Sequence, residues 1–476
     1  MAAVAAIPGL LASMSGTTAA VAASAAVATT VAANSTSLAA VAANAAKPSM
    51  MNNLKVIGMW VLIIGAIAGL IYGLYRLFLY TKNEFDTIPT CTNIENTAKI
   101  QEAKISKAAT ELSASRSAMG TGTADAGLDA SGSPLAENEN ALINFAVLGV
   151  RSTGYLGPKD SGVFRPAAAT NYAFLCGARV FVLDIDYLEA DKSNPVLVYR
   201  DNVGNLRSNN IGRISEVAAT MATFNTTDPI IVVLNILRVP GQDQNPASTE
   251  ALKFMMKISK ALKPIHPRIL KDINGNNATG QRMASSLFLF PVSTYQGKII
   301  LLTNQDTTGF TKPPSTMPSI QVDENLHIFV NARLYPITPN KSGDTPPSGT
   351  AARMESVLYY TSMSPDDKKA TPTNNTKSQW NIAMNNNDPM LGEPSKADID
   401  LLHKTLGVQC IPTNFFNLEN IIGSVFFTSD YFKKFSYRPK PKAIRYVATA
   451  PLVSAPPAPQ TNAGGGFLDA TSARNA

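Results

Sequence analysis

Three histidines, His266, His327 and His403, bound the chemistry open to this 476-residue chain. A proton relay built on a histidine pair has to draw on these three. Their settings are those of structural residues: His266 in a Lys-Pro-Ile-His-Pro turn after an expected helix, His327 in an expected strand, His403 in an expected helix. Cys91, Cys176 and Cys410 lie too far apart for a disulfide framework or a zinc finger and fit a reducing compartment. Asp184 and Asp186 form a carboxylate pair two residues apart, which alone is no catalytic signature. Residues 433–445 carry Lys433, Lys434, Arg438, Lys440, Lys442 and Arg445 with no acidic residue, interleaved with Phe435 and Tyr437. Such a run could bind anionic lipid or nucleic acid, but is more often a solvated terminus or a contact to an acidic protein neighbour. No phosphate-cradling glycine loop, His-Glu-x-x-His or Gly-x-Ser-x-Gly elbow occurs in 142–449. No cofactor, metal or nucleic acid is expected.

The elements that must position these residues begin after a long uncharged start. Charged residues are 16% of the chain, against about 25% in an ordinary soluble protein, so an apolar segment is concealed in the average. Residues 1–50 read as an Ala-rich low-complexity arm. Residues 56–75 carry no charge and would reach about 30 Å as a helix, the thickness of a bilayer core. A single membrane-spanning helix is expected over 54–80, with Trp60 and Tyr72, Tyr75 and Tyr80 placed for the two interfaces. Gly65, Gly69 and Gly73 recur on one of its faces, where a second copy could pack. Lys47 and Lys55 precede the segment, whereas Arg76, Lys82, Lys99, Lys104 and Lys107 follow it. The excess predicts the C-terminal portion on the cytosolic side. Residues 81–141 read as a stalk and linker, with a solvated helix over 94–118. Residues 450–476 read as a disordered tail.

Residues 142–449 alternate apolar runs with helical segments, the pattern of βα units around a parallel sheet. Strands are predicted over 145–150, 179–187, 196–199, 229–237, 298–303, 327–334, 356–361 and 408–414. Helices are predicted over 214–224, 250–262 and 397–406. About eight strands in this length suit an α/β barrel, whose chemistry sits at the C-terminal strand ends.

Several of those ends match a family in order. Cys176-Gly-Ala-Arg-Val-Phe-Val-Leu-Asp184 followed by Pro195-Val-Leu-Val-Tyr199 resembles the central signature of phosphatidylinositol-specific phospholipase C. There a Gly-Cys-Arg strand ends in Glu-Leu-Asp and the next strand in Tyr-His-Gly. Residues 148–156 fall at the family's Ser-His-Asn-Thr-Tyr-Leu motif, and 228–235 at its Pro-Val-Ile-Leu-Ser-Leu-Glu. Segments 291–302 and 407–415 are similar to two later strands. The resemblance implies an α/β fold, a distorted TIM-type barrel, preceded here by the one transmembrane helix.

What the resemblance implies for activity is loss. The family uses two histidines for proton transfer and, in eukaryotic members, a calcium held by carboxylates and an Asn. At the matching positions this chain has Arg151 and Arg200 for the histidines, Ser152 for the Asn, and Val182 and Asn235 for two acidic ligands. Only Asp184 remains. A guanidinium does not give up its proton, and one carboxylate is a poor calcium site. The sequence therefore predicts no catalytic residues and no enzyme. Arg151 and Arg200 are left with two readings: they hold a phosphate or inositol headgroup, or they pair with Asp184 and Asp186 and close the pocket. The expected role is structural, a membrane-anchored pseudoenzyme partnered with other structural or capsid proteins. A minor capsid protein bridging the inner membrane and capsid of a large DNA virus would have this layout. The alternative role is a pseudoenzyme that reads phosphoinositide or anionic-lipid headgroups, and a third is an active phosphoric diester hydrolase with a rearranged site.

Overall fold

The computed structural model describes residues 58–74, 94–117, 135–158, 161–201, 204–241, 248–271, 286–315, 317, 319–336, 350–385, 394–414, 432 and 435–448. The arm, most of the linker, the tail, Cys91, Lys433 and Lys434 lie outside the described residues. The chain divides into two units, 1–84 and 85–476.

In the first unit, 58–74 is helical, and Trp60, Leu62, Ile64, Leu70 and Leu74 are all more than half exposed. Nothing lies within 4 Å of a Cβ built on Gly65, Gly69 or Gly73. The expected span over 54–80 is not reproduced at full length: among the described residues no helix is long and apolar enough to cross a membrane. The described turns reach about 25 Å, short of a hydrocarbon core. Residues 54–57 and 75–80 lie outside the described residues.

The second unit is organised by strands buried on both faces. β1 (Phe145–Val147) and β2 (Gly149–Val150) open it, followed by β3 (Val180–Leu188) and β4 (Asp191–Leu197). β5 (Ile230–Ile236), β6 (Ile299–Thr303), β7 (Ala332–Pro336), β8 (Ala352–Ser356) and β9 (Trp380–Met384) follow, and β10 (Tyr437–Pro439) ends the series. The sheet runs β2-β3-β5-β6-β7-β8-β9, every neighbour parallel. Continuous apolar runs such as Ile230-Ile-Val-Val-Leu234 are what a parallel strand covered on both faces requires. The extended segment 408–414 bridges both end strands, Ile382 to Cys410 and Val150 to Thr413, so the sheet curls back on itself.

Alternate residues sort into two cores. Val180, Val182, Ile231, Val233, Ile300 and Leu302 face inward with Trp380, Ile382 and Cys410. Phe181, Leu183, Val232, Leu234 and Leu301 face outward, under helices Pro166–Leu175, Ile214–Thr223 and Thr249–Ala261. One end is closed by the antiparallel β1–β10 pair and by Phe288, Tyr295 and Leu142. Gly149 has no room for a side chain at the seam: a Cβ there would lie 2.4 Å from Cys410 Sγ.

Several expectations need correction. The 196–199 strand is not a separate barrel stave but the end of β4, which runs back antiparallel along β3. The 356–361 strand is a helix, Val357–Ser362, because the Ser356 side chain caps it by accepting from Tyr359 N. The strand itself is the preceding β8. The 327–334 strand divides into a helical turn, Leu326–Phe329, capped by Asn325, and then β7. β9 was not anticipated. The helix Ile94–Ser117, expected as a solvated stalk, packs on the barrel: Ala98, Ile105 and Ala109 are buried in the outer core. Glu95 pairs with Arg165 and Tyr172 donates to Glu102 at 3.4 Å.

Candidate functional site

The inward register of the strands decides what reaches the barrel mouth. Val182, Val233 and Leu302 form one inward layer, and two residues on come Asp184, Asn235 and Asn304. Asp184 and Asn235 are register partners, and Asn235 Nδ2 donates to Asp184 Oδ1 at 2.6 Å. Ser152 Oγ donates to Asp184 Oδ2 at 3.0 Å, and Arg151 Nε approaches the same oxygen at 3.4 Å. Arg151 Nη1 also donates to the Asn385 carbonyl. Asn304 Nδ2 extends the chain to Asn235 Oδ1 at 3.2 Å. Both Asp184 oxygens are thus occupied inside the protein, and Asp184 is 2% exposed.

Asp186 is the centre of a second cluster. Arg200 Nε donates to its Oδ2 at 2.6 Å, and Arg238 Nε reaches both oxygens at 2.9 and 3.2 Å. Arg200 Nη1 also donates to the Gly204 carbonyl at 2.9 Å. Arg238 lies over the Tyr187 ring and binds Glu189. The hairpin β3–β4 makes this possible, since β4 returns the chain so that Arg200 meets Asp186 fourteen residues earlier.

The structure therefore brings Arg151, Ser152, Asp184 and Asn235 together and places Arg200 on the neighbouring carboxylate. Val182 faces the inner apolar core one layer below. A calcium ion does not fit these residues: Val182 offers no oxygen, and the one acidic side chain at the matching positions already accepts from Ser152 and Asn235. Among the described residues, no three His, Cys, Asp or Glu side chains converge as metal ligands. Arg238 and Asn304 were missed in the sequence. Each follows a strand end by one or two residues, the only signal that marked them.

The histidines lie elsewhere. His266 stacks on Phe329, in a 3-10 turn. His327 Nδ1 bonds Thr307 Oγ1 at 2.9 Å, in a helical turn rather than the strand expected. His403 Nδ1 lies 2.8 Å from the Val408 carbonyl. Burial lowers all three imidazoles below their ordinary value, His403 to about 4.

The basic run does not form one exposed strip. Lys440 is fully buried, its Nζ donating to the Thr376 carbonyl at 2.7 Å. Arg445 is buried too, bound to Glu139 and to the Lys440 carbonyl. Both side chains turn inward rather than face a ligand. Arg438 is half-buried on β10 and Lys442 exposed.

Fold and mouth define an α/β protein with a curled parallel sheet, its polar end closed by arginine–aspartate pairs. No protein-family profile matches the sequence, and no curated protein is significantly similar to it. Similar solved structures include PLC21 of L. pealei, 13% identical over 68% of this chain, with a TM-score of 0.43. This chain spans 39% of that protein's length. A calcium-dependent phosphoinositol-specific phospholipase C from Pseudomonas sp is 13% identical over 66% of this chain and 98% of its own, with a TM-score of 0.38. The calcium-dependent phosphatidylinositol-specific phospholipase C of Streptomyces antibioticus is 14% identical over 60% of this chain and 97% of its own, with a TM-score of 0.36.

Proposed function

We propose that this chain is a membrane-anchored, catalytically inactive phospholipase C-like barrel with a structural role. One observation carries the reading. Both positions where the resembled family has histidine hold arginine, and each arginine is committed to a carboxylate, Arg151 to Asp184 and Arg200 to Asp186. A proton-transfer site needs groups that exchange protons near neutrality, and a guanidinium does not. The same pairs favour a closed scaffold over a headgroup reader, because the arginines' charge is already answered inside the barrel.

Anchoring through 54–80 is supported by the uncharged run at 56–75 and by the exposed apolar side chains of its helical portion. The barrel then lies on the cytosolic side. An arm, an apolar segment, a barrel and a tail in this order suit a minor capsid protein that bridges an inner membrane and a capsid in a large DNA virus. Full-length chain in detergent micelles, offered phosphatidylinositol with and without calcium, is expected to release no inositol phosphate. Release that disappears in Arg200→Ala overturns the reading. Removal of 1–80 is expected to abolish partitioning with neutral phosphatidylcholine vesicles, and unchanged partitioning sinks the anchor.

A further inference from the structure

The helix Ile94–Ser117 buries one side and leaves the other charged. Ala98, Gln101, Ile105 and Ala109 turn toward the barrel and are buried. The acidic residues of 94–110 are engaged there as well, Glu95 with Arg165 and Glu102 with Tyr172. At 3.6 residues per turn, Lys99, Lys104 and Lys107 fall on the opposite side around Ile100. All three lysines are exposed, and Ile100 is 47% exposed among them. Over residues 94–110 the outward side of the docked helix is therefore cationic, with one apolar tip.

We propose that this side rests on the anionic headgroups of the same membrane that 54–80 enters. The inference rests on the anchoring reading above and adds a second contact to it. Only residues 81–93 separate the expected span from this helix, and they reach about 45 Å at most. The lysines are thus tethered within a few tens of Å of the lipid surface, and attraction between amines and anionic headgroups acts over the last ~10 Å at 0.1 M salt. Ile100 would sit among the headgroups, and the helix would be held between bilayer and barrel.

The test is amine acetylation of the full-length chain in vesicles, read by mass spectrometry. Phosphatidylcholine vesicles are compared with vesicles that also contain phosphatidylserine, and flotation is recorded for both. Lys369, 81% exposed on a helix of the barrel, is the internal reference. In anionic vesicles, labelling of Lys99, Lys104 and Lys107 relative to Lys369 is expected to fall about threefold or more, and to return in molar salt. A chain that floats while its three lysines label equally in both vesicle types overturns the inference and leaves the anchor standing. A chain that floats with neither vesicle overturns the anchor, and this contact with it.

Discussion

Asp186 and Arg238 meet through both carboxylate oxygens, at 2.9 and 3.2 Å, while Arg200 holds the same carboxylate from the β4 side at 2.6 Å. One buried anion thus ties the hairpin to the end of β5. Asp186→Ala removes the buried carboxylate that Arg200, 8% exposed, meets at 2.6 Å and is expected to cost about 3–5 kcal/mol in denaturant unfolding. Arg200→Ala is expected to cost less, because Arg238 still answers Asp186. Equal losses from the two changes would show that Arg238 contributes nothing.

Acid should weaken the barrel through His403. Burial holds its imidazole at about 4; the Val408 carbonyl and Asp400 oppose this, while Lys440 and Lys404 reinforce it. The unfolded chain takes a proton at about 6.5, the folded chain only near 4, so stability is lost as pH falls through that window. The loss is on the order of 3 kcal/mol. Unfolding free energies measured across this window should fall more steeply for the native chain than for His403→Gln. Parallel slopes would contradict the assignment.

Lys440 predicts the other flank of the pH profile. Burial, and then Lys377, push its amine well below the ordinary 10.5. The unfolded chain binds a proton there that the folded chain resists, so stability rises with pH up to that ordinary value. Lys440→Met removes this slope, and the Thr376 carbonyl keeps its bond from Gln409 at 2.9 Å. The variant is expected to be more stable at pH 7 by about 1 kcal/mol or more. A less stable Lys440→Met with the slope intact would show that the amine is well accommodated.

At the seam, Gly149→Ala should cost about 1–3 kcal/mol, since the added methyl meets the buried Cys410 sulfur. Cys410→Ala in the same chain should recover part of that loss. If the two changes simply add, the contact is not the cause.

The inner strands were legible because a parallel strand buried on both faces writes itself as an unbroken apolar run, as in β3, β5 and β6. β9 was hidden: Trp380-Asn-Ile-Ala-Met384 is short and followed by three asparagines, and its burial comes from β8 on one side and the seam segment on the other. Val357-Leu-Tyr-Tyr-Thr361 has strand-forming side chains, yet one serine hydroxyl turned it into a helix. At the mouth, Arg151, Asp184, Arg200 and Asn235 were marked by their places in an ordered set of motifs. Arg238 was not, because its partner Asp186 is 52 residues away and no local pattern encodes that meeting. The burial of Lys440 was equally invisible, since it depends on a carbonyl at Thr376, 64 residues earlier.

The β1–β10 pair gives the barrel a mechanical property. Phe145 opposes Pro439, Ala146 opposes Arg438 and Val147 opposes Tyr437, so the chain enters and leaves the pair at the same end. Tension applied between residue 135 and the tail would bear first on the Arg445–Glu139 and Asn144–Tyr446 contacts and then open the ladder one pair at a time. Such an arrangement peels rather than shears. Loaded at these two points, the chain would yield by releasing this clasp at low force, while the curled sheet behind it carried none of the load.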